Sequence, residues 1–117
     1  MNATQVFDTA GQQAVVDYLE GYGFEVLDRA WQGPNGRLDI VAVERGVLVV
    51  FDVRTPPHRW HRPLHEITHA KRRQLRLLAV AWLTAHGRRF DQIRIDTIGL
   101  SSDGTGGYTI EHVRGVG

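Results

Sequence analysis

Two aspartates and an arginine lie where two neighbouring strands are expected to meet. Asp39 lies in one alternating segment, and Asp52 and Arg54 stand two residues apart in a second. Side chains two residues apart on a strand project from the same face of a sheet. The short turn Arg45-Gly46 joins the two segments, so a hairpin brings Asp39 beside Asp52. The three side chains are therefore predicted to converge on one site.

The chemistry open to these three side chains is that of a metal-assisted phosphodiester site. Two carboxylates can hold one hard divalent cation, either Mg²⁺ or Mn²⁺. The metal would activate water, while the cationic side chain of Arg54 faces the same phosphate. The alternative is structural, with both carboxylates in turn and ion-pair contacts and Arg54 neutralising Asp52 or Asp39.

Hydrophobic periodicity predicts seven elements that position these residues. Apolar side chains at helical spacing indicate two helices, and alternating or β-branched runs indicate five strands. The predicted order is a helix at 6–22, strands at 24–31, 37–44 and 47–54, a helix from Pro63 to His86, and strands at 93–98 and 108–113. A helix between the hairpin and the last strand pair predicts an α/β fold, αβββαββ, with a mixed central sheet flanked by helices.

Two details of these elements bear on the site. Within the strand 37–44, Asp39 is predicted to face opposite to Leu38 and Ile40. The second helix is predicted to begin at Pro63 and to turn a regularly spaced face towards the core. That face consists of Leu64, Ile67, the aliphatic stem of Lys71, Leu75, Leu78 and Trp82.

Composition narrows the class of protein. The chain has 117 residues, 42% of them hydrophobic and 23% charged, which predicts one globular domain over residues 1–117. The absence of cysteine excludes disulfides, cysteine zinc sites and thiol catalysis. We expect no signal peptide, no membrane span and a cytoplasmic location, because no basic-then-apolar leader and no apolar run of ~20 residues is present.

Charge is distributed unevenly along the chain. Residues 1–28 carry five acids and no lysine or arginine, whereas residues 54–76 carry seven bases and one acid. A concentrated basic surface predicts a polyanionic partner. The alternative interpretation of the run 71–76 is a helix face that only contacts solvent. For Lys71 there are two possibilities: its side chain reaches towards the predicted site, or it lies along the helix with its charge in solvent. The residues predicted to contact phosphates are Arg59, Arg62, Lys71, Arg72, Arg73 and Arg76.

Several short motifs follow one another along the chain: Gly11-Gln12, Gly36-Arg37-Leu38-Asp39-Ile40-Val41, Val50-Phe51-Asp52-Val53-Arg54-Thr55, Lys71 in an arginine-rich helix, and Ile95-Asp96. Their order and spacing together resemble the YraN family of bacterial proteins. The resemblance covers about residues 10–117. It implies a restriction-endonuclease-like fold, similar to archaeal Holliday-junction resolvases. It also implies a site of the PD-(D/E)xK type, with an acid on the first helix, an aspartate, a second acid and a lysine.

Three of the four implied site positions depart from the family pattern. Gln12 stands in place of a glutamate, Asp52 in place of a longer glutamate, and Arg54 in place of a lysine, while Asp39 is retained. In addition, Arg37 replaces a glutamate two residues before Asp39. With a pKa above ~12, an arginine cannot act as a base, although it can clamp a phosphate by two parallel hydrogen bonds.

We therefore expect a nucleic-acid-binding protein, with DNA as its partner, that has a nuclease-like fold and a degenerate metal site. Loss of a general base typically lowers the rate ~10²–10⁴-fold, so cleavage should be weak or absent. One alternative is an active Mg²⁺- or Mn²⁺-dependent endonuclease on branched DNA. In it, Asp39 and Asp52 are metal ligands, Gln12 can donate a further oxygen to the metal, and Arg54 stabilises the pentavalent phosphate. The other is a non-catalytic protein-interaction module, which allows a homodimer formed through the sheet edge or an apolar loop.

Overall fold

The computed structural model describes residues 9–55 and 66–115. These residues form α1 (Thr9–Gly21), β1 (Glu25–Gly33), β2 (Gly36–Glu44), β3 (Val47–Arg54), α2 (His69–His86), β4 (Ile93–Ser102) and β5 (Tyr108–Val113). The strands lie in the order β1-β2-β3-β4-β5, with β3 and β4 parallel and the other neighbours antiparallel. The predicted α/β fold, its order αβββαββ and its mixed sheet are confirmed. No helix in these two ranges is long and apolar enough to cross a membrane.

The central strand β3 organises the two layers that cover the sheet. Its run of β-branched and aromatic residues is buried from Leu48 to Phe51, as expected for a strand covered on both faces. A parallel strand pair needs a crossover connection, and α2 lies in the connection from β3 to β4. The chain order thus places the end of β3 immediately before the segment that leads to α2.

Each face of the sheet carries its own core and its own helix. Successive β3 residues alternate between the two cores, so α1 and α2 lie on opposite faces. The α1 core consists of Val15, Val16, Leu19, Phe24, Ile40, Ala42, Val49, Phe51, Ile98 and Leu100. The α2 core consists of Leu38, Val41, Leu48, Val50, Leu75, Leu78, Ala79, Trp82 and Ile95.

Helix α2 begins at His69, and the prediction that it begins at Pro63 is wrong. The Thr68 hydroxyl accepts a hydrogen bond from the backbone N–H of Lys71 at 3.1 Å. Thr68 is therefore the N-cap, because its side chain satisfies a donor that has no partner within the helix. Pro63 and Leu64 lie outside the described residues.

The predicted core face of α2 is confirmed for Leu75, Leu78 and Trp82, each 2% exposed. Lys71 stands one turn before Leu75 on the same side of the helix, but it is exposed. The prediction that it belongs to the buried core face is therefore wrong.

The predicted end of the strand 93–98 is also wrong, because β4 continues to Ser102. Glycine and serine at positions 99–102 are typical of a turn. Here Ser101 and Ser102 pair with Thr109 and Tyr108 of β5, so cross-strand pairing outweighs local propensity.

Strand β2 departs from regular alternation at Asp39. Leu38 packs in the α2 core, whereas Ile40 packs in the α1 core. The prediction that Leu38 and Ile40 share a face is therefore wrong. On β1, Ala30 has a φ of 53° and lies between the residues paired with Ile40 and Leu38. A positive φ is rare for a residue with a Cβ, so the β1–β2 ladder is distorted beside Asp39.

Candidate functional site

Asp39 and Asp52 come together at one end of the β2–β3 hairpin. The hydrogen-bonded pairing of the two strands reaches Val41 and Val50, and the two aspartates stand two residues beyond these. The negative charge of Asp52 is close enough to favour the neutral form of Asp39. The structure thus brings together the two carboxylates that the sequence places there, while their role stays a prediction.

Each aspartate is paired with an arginine of its own strand. The Arg37 Nε and Nη2 atoms donate to Asp39 Oδ1 at 3.2 and 3.0 Å. The Arg54 Nε atom donates to Asp52 Oδ2 at 3.3 Å, and its Nη2 donates to the backbone carbonyl of Glu66. The Arg54 and Asp52 side chains are only 14% and 11% exposed. The structural alternative, in which Arg54 neutralises an aspartate, is therefore realised in this geometry.

Burial dominates the electrostatics of Asp39. Desolvation raises the pKa of Asp39 above its usual value, although the positive charges of Arg37 and Lys71 act to lower it. The contribution of Lys71 indicates that the first turn of α2 lies near Asp39. The site therefore consists of the ends of β2 and β3 together with the beginning of α2.

As they stand, these residues form a poor site for a divalent cation. Mg²⁺ prefers an octahedral shell of oxygen ligands, but each carboxylate here already uses one oxygen to accept from a guanidinium group, whose positive charge repels a metal ion. Over residues 9–55 and 66–115, no group of three or more His, Asp or Glu side chains is arranged to hold a metal. Gln12 lies on α1, which covers the face of the sheet opposite to α2. Its side chain forms no hydrogen bond with a described residue. Its place at the site stays a prediction.

A second feature is a stripe along the outward face of α2, here called the α2 outer stripe. Its residues recur at steps of three and one, which places them on one side of the helix. They line an open groove and consist of His69, Arg72, Arg73, Arg76, Leu77 and Val80. Leu77 and Val80 are 55% and 50% exposed. Three of the predicted phosphate contacts thus share one surface, whereas Lys71 lies nearer Asp39.

Comparison with known proteins places the chain in a family. The model of UPF0102, described as an uncharacterised protein family, matches residues 11–99. The chain belongs to the UPF0102 family. A UPF0102 protein of Arthrobacter sp. (strain FB24) is 34% identical over the full length of both chains. Those of Renibacterium salmoninarum and Streptomyces coelicolor are 37% and 36% identical, over 92% and 99% of this chain and 92% of each relative. The resemblance to YraN proteins is confirmed at the level of the family.

The UPF0102 chain also contains a buried polar network that the sequence did not predict. Asp96 has no exposed surface. It accepts hydrogen bonds from Arg94 at 2.7 and 2.9 Å and from the backbone N–H of Gly115 at 2.9 Å. His112 Nε2 lies 2.8 Å from the second carboxylate oxygen, and His112 Nδ1 lies 3.0 Å from the Tyr18 hydroxyl. Burial alone would raise the pKa of Asp96, but these hydrogen bonds lower it below its usual range.

Glu44 extends the network to the β2–β3 hairpin. It accepts hydrogen bonds from Arg94 at 2.9 Å and from Arg114. The bonds from Arg114, opposed by burial and reinforced by Arg94, lower the pKa of Glu44 to about 2. The sequence signal was the pair Arg94 and Asp96 at strand spacing. Their partners are remote in the chain, so local patterns could not identify them.

Neither Arg59 nor Arg62 lies within the described residues. Their predicted phosphate contacts therefore stay predictions.

Proposed function

We propose that this UPF0102 protein binds nucleic acid through the α2 outer stripe. The observation that carries the proposal is the placement of Arg72, Arg73 and Arg76 around one open groove, on a stripe that holds no acid. Arginine presents a planar fork of donors that matches phosphate geometry. A surface of this composition binds the backbone of a nucleic acid without reading its sequence.

The arrangement of elements supports a restriction-endonuclease-like fold with a degenerate site. Its acids lie at the ends of neighbouring strands β2 and β3, beside the first turn of a basic helix. Cleavage should be weak or absent, because Arg54 cannot serve as a base and both carboxylates are paired with guanidinium groups. The choice of DNA over RNA rests on the resemblance to the YraN family.

The test compares two matched pairs of substitutions. Arg72→Ala with Arg73→Ala removes two charges from the stripe. Arg88→Ala with Arg89→Ala removes two charges from exposed adjacent positions just after α2. Binding to a duplex and to a four-way junction is measured by fluorescence anisotropy across a salt series. The first pair should weaken binding about tenfold or more and reduce the salt slope by about 2, since each phosphate contact contributes ~0.9. The second pair should change affinity less than about threefold.

Equal effects of the two pairs would contradict the proposed surface. Association with a protein that is insensitive to salt, in the absence of nucleic-acid binding, would favour the interaction-module alternative.

The two neighbouring carboxylates of Asp39 and Asp52 keep the endonuclease as a second candidate. Branched and linear DNA are incubated with Mg²⁺ or Mn²⁺, with Asp39→Asn as the control. We expect no metal-dependent product from the wild type. A product that disappears in Asp39→Asn would favour the endonuclease.

A further inference from the structure

We infer that Arg37 and Arg54 are built-in counter-ions that take the place of a divalent cation beside Asp39 and Asp52. The site is then metal-independent, and it presents guanidinium groups to an anion. Only the nature of that anion, a phosphodiester, rests on the proposed function.

The arrangement of the ion pairs carries the inference. In β2 the arginine precedes its aspartate by two residues, and in β3 it follows by two. Because the strands are antiparallel, both arginines lie further along the hairpin from the Val41–Val50 pair than the aspartates do. One end of the hairpin therefore carries two acids, followed by two guanidinium groups.

Burial explains why the carboxylates need such partners. The Asp39 and Asp52 side chains are only 24% and 11% exposed, and each lies within the electrostatic influence of the other. Two desolvated negative charges this close together require positive charge nearby. A metal ion is one source of that charge, and the two arginines already supply it.

The Arg54 side chain is held by two partners from different parts of the chain. Its guanidinium donates to Asp52 and to the backbone carbonyl of Glu66, which lies shortly before α2. The Arg54 side chain thus connects β3 to the segment just before α2. A metal ion that bound Asp52 would meet the positive charge of a side chain that also holds this connection.

The charge balance of the site favours an anion. With both acids ionised, Asp39 and Asp52 are outnumbered by the cations Arg37, Arg54 and Lys71. The local formal charge is then +1, three positive against two negative. A phosphodiester carries the complementary charge, and Arg37, which is one third exposed, is the guanidinium group placed to donate to it.

The first experiment measures Mn²⁺ binding by electron paramagnetic resonance. The wild type and its Asp39→Asn variant are compared with the double variant Arg37→Gln, Arg54→Gln, and with that double variant carrying Asp39→Asn in addition. We expect no saturable Mn²⁺ site in the wild type, one site in the double variant, and its loss in the triple variant. Glutamine keeps a donor at each position but removes the charge. Circular dichroism checks that each variant is folded.

Two outcomes of this experiment would overturn the inference. One is a Mn²⁺ site in the wild type that Asp39→Asn abolishes. The other is a folded double variant that binds no Mn²⁺, because the arginines would then not be what occupies the cation position.

The second experiment needs no variant and separates this inference from the proposed function. DNA binding by the wild type is measured in EDTA and in Mg²⁺, at matched ionic strength. Affinity in EDTA that is equal to or tighter than in Mg²⁺ supports a metal-independent site, because Mg²⁺ competes with the protein for DNA phosphates. Binding that is lost in EDTA contradicts the counter-ion inference but leaves the proposed function standing. If DNA does not bind in either buffer while the Mn²⁺ results are as expected, the proposed function fails and the counter-ion inference stands.

Discussion

At Asp39, burial disfavours the ionised carboxylate, while neighbouring positive charges favour it. Its carboxylate is largely buried, has a second carboxylate nearby, and is only partly compensated by Arg37 and Lys71. The raised pKa of Asp39 means that the folded protein holds the proton more tightly than the unfolded chain does. Stability therefore falls as the pH rises from the usual aspartate value through the raised value. At neutral pH the ionised Asp39 lowers the free energy of unfolding, which is typical of a residue that is kept for function.

The substitution Asp39→Asn should therefore stabilise the protein at pH 7. We expect the free energy of unfolding to increase by about 1 kcal/mol, because the amide removes the desolvated charge and Arg37, one third exposed, can hydrate. The gain should shrink as the pH falls through the raised pKa of Asp39 and should be absent below the usual aspartate value of 3.8. Urea unfolding at several pH values measures it. The exposed Asp91, changed to Asn, is the control and should have little effect. A loss of stability in Asp39→Asn at pH 7 would contradict this account.

At the scale of elements, the helices and strands are held in place by contacts at their ends. Thr68 determines where α2 begins, and Arg54 ties the end of β3 to the segment before that helix. Beyond β5, the backbone N–H of Gly115 donates to Asp96 on β4. This last contact depends on close backbone approach, since a Cβ at position 115 would lie 1.8 Å from the Ile95 carbonyl oxygen.

The substitution Gly115→Ala should displace the segment that follows β5. The backbone must move to relieve the overlap, which breaks the hydrogen bond to the buried Asp96 carboxylate. We expect the free energy of unfolding to fall by about 1–3 kcal/mol, measured by thermal or urea unfolding. Gly21→Ala is the matched control, because a Cβ there meets nothing within 4 Å. Similar stabilities of the two variants would show that Gly115 does not hold the segment in place.

At the scale of the whole molecule, the polar network joins parts that are far apart in the chain. Tyr18 on α1, Glu44 on β2, Asp96 on β4 and His112 on β5 are connected through hydrogen bonds. Arg94 bridges Glu44 to Asp96, so both acids depend on the same guanidinium group. The network lies away from the α2 outer stripe, and its pH dependence belongs to global stability.

The loss of folding stability at acid pH should depend on Glu44. Its folded-state pKa is depressed, so its contribution is fully present above the usual glutamate value of 4.5 and is lost as the pH falls towards about 2. We expect Glu44→Gln to lower the free energy of unfolding by about 1–2 kcal/mol at pH 7, a figure discounted because Arg114 is half exposed. Urea unfolding between pH 2 and 7 should show the difference narrowing in acid.

The control for this prediction is Glu111→Gln, at an exposed position on β5. It should follow the wild type across the pH range. A difference between Glu44→Gln and the wild type that stays constant down to the lowest pH would exclude linkage to this carboxylate.

Local periodicity and turn chemistry were sufficient to predict the order αβββαββ, the strands β3 and β5 over their full length, and the hairpin that carries Asp39 and Asp52. These features depend on residues that are neighbours in the chain, so the sequence by itself determined them. Other features depend on contacts outside the local pattern. The start of α2 depends on capping by Thr68, and the length of β4 depends on its pairing with β5. The core into which Leu38 packs depends on the distorted β1–β2 ladder. The pairing of both aspartates with arginines and the network around Asp96 were decided only by tertiary structure, because burial and long-range approach determine which charges meet.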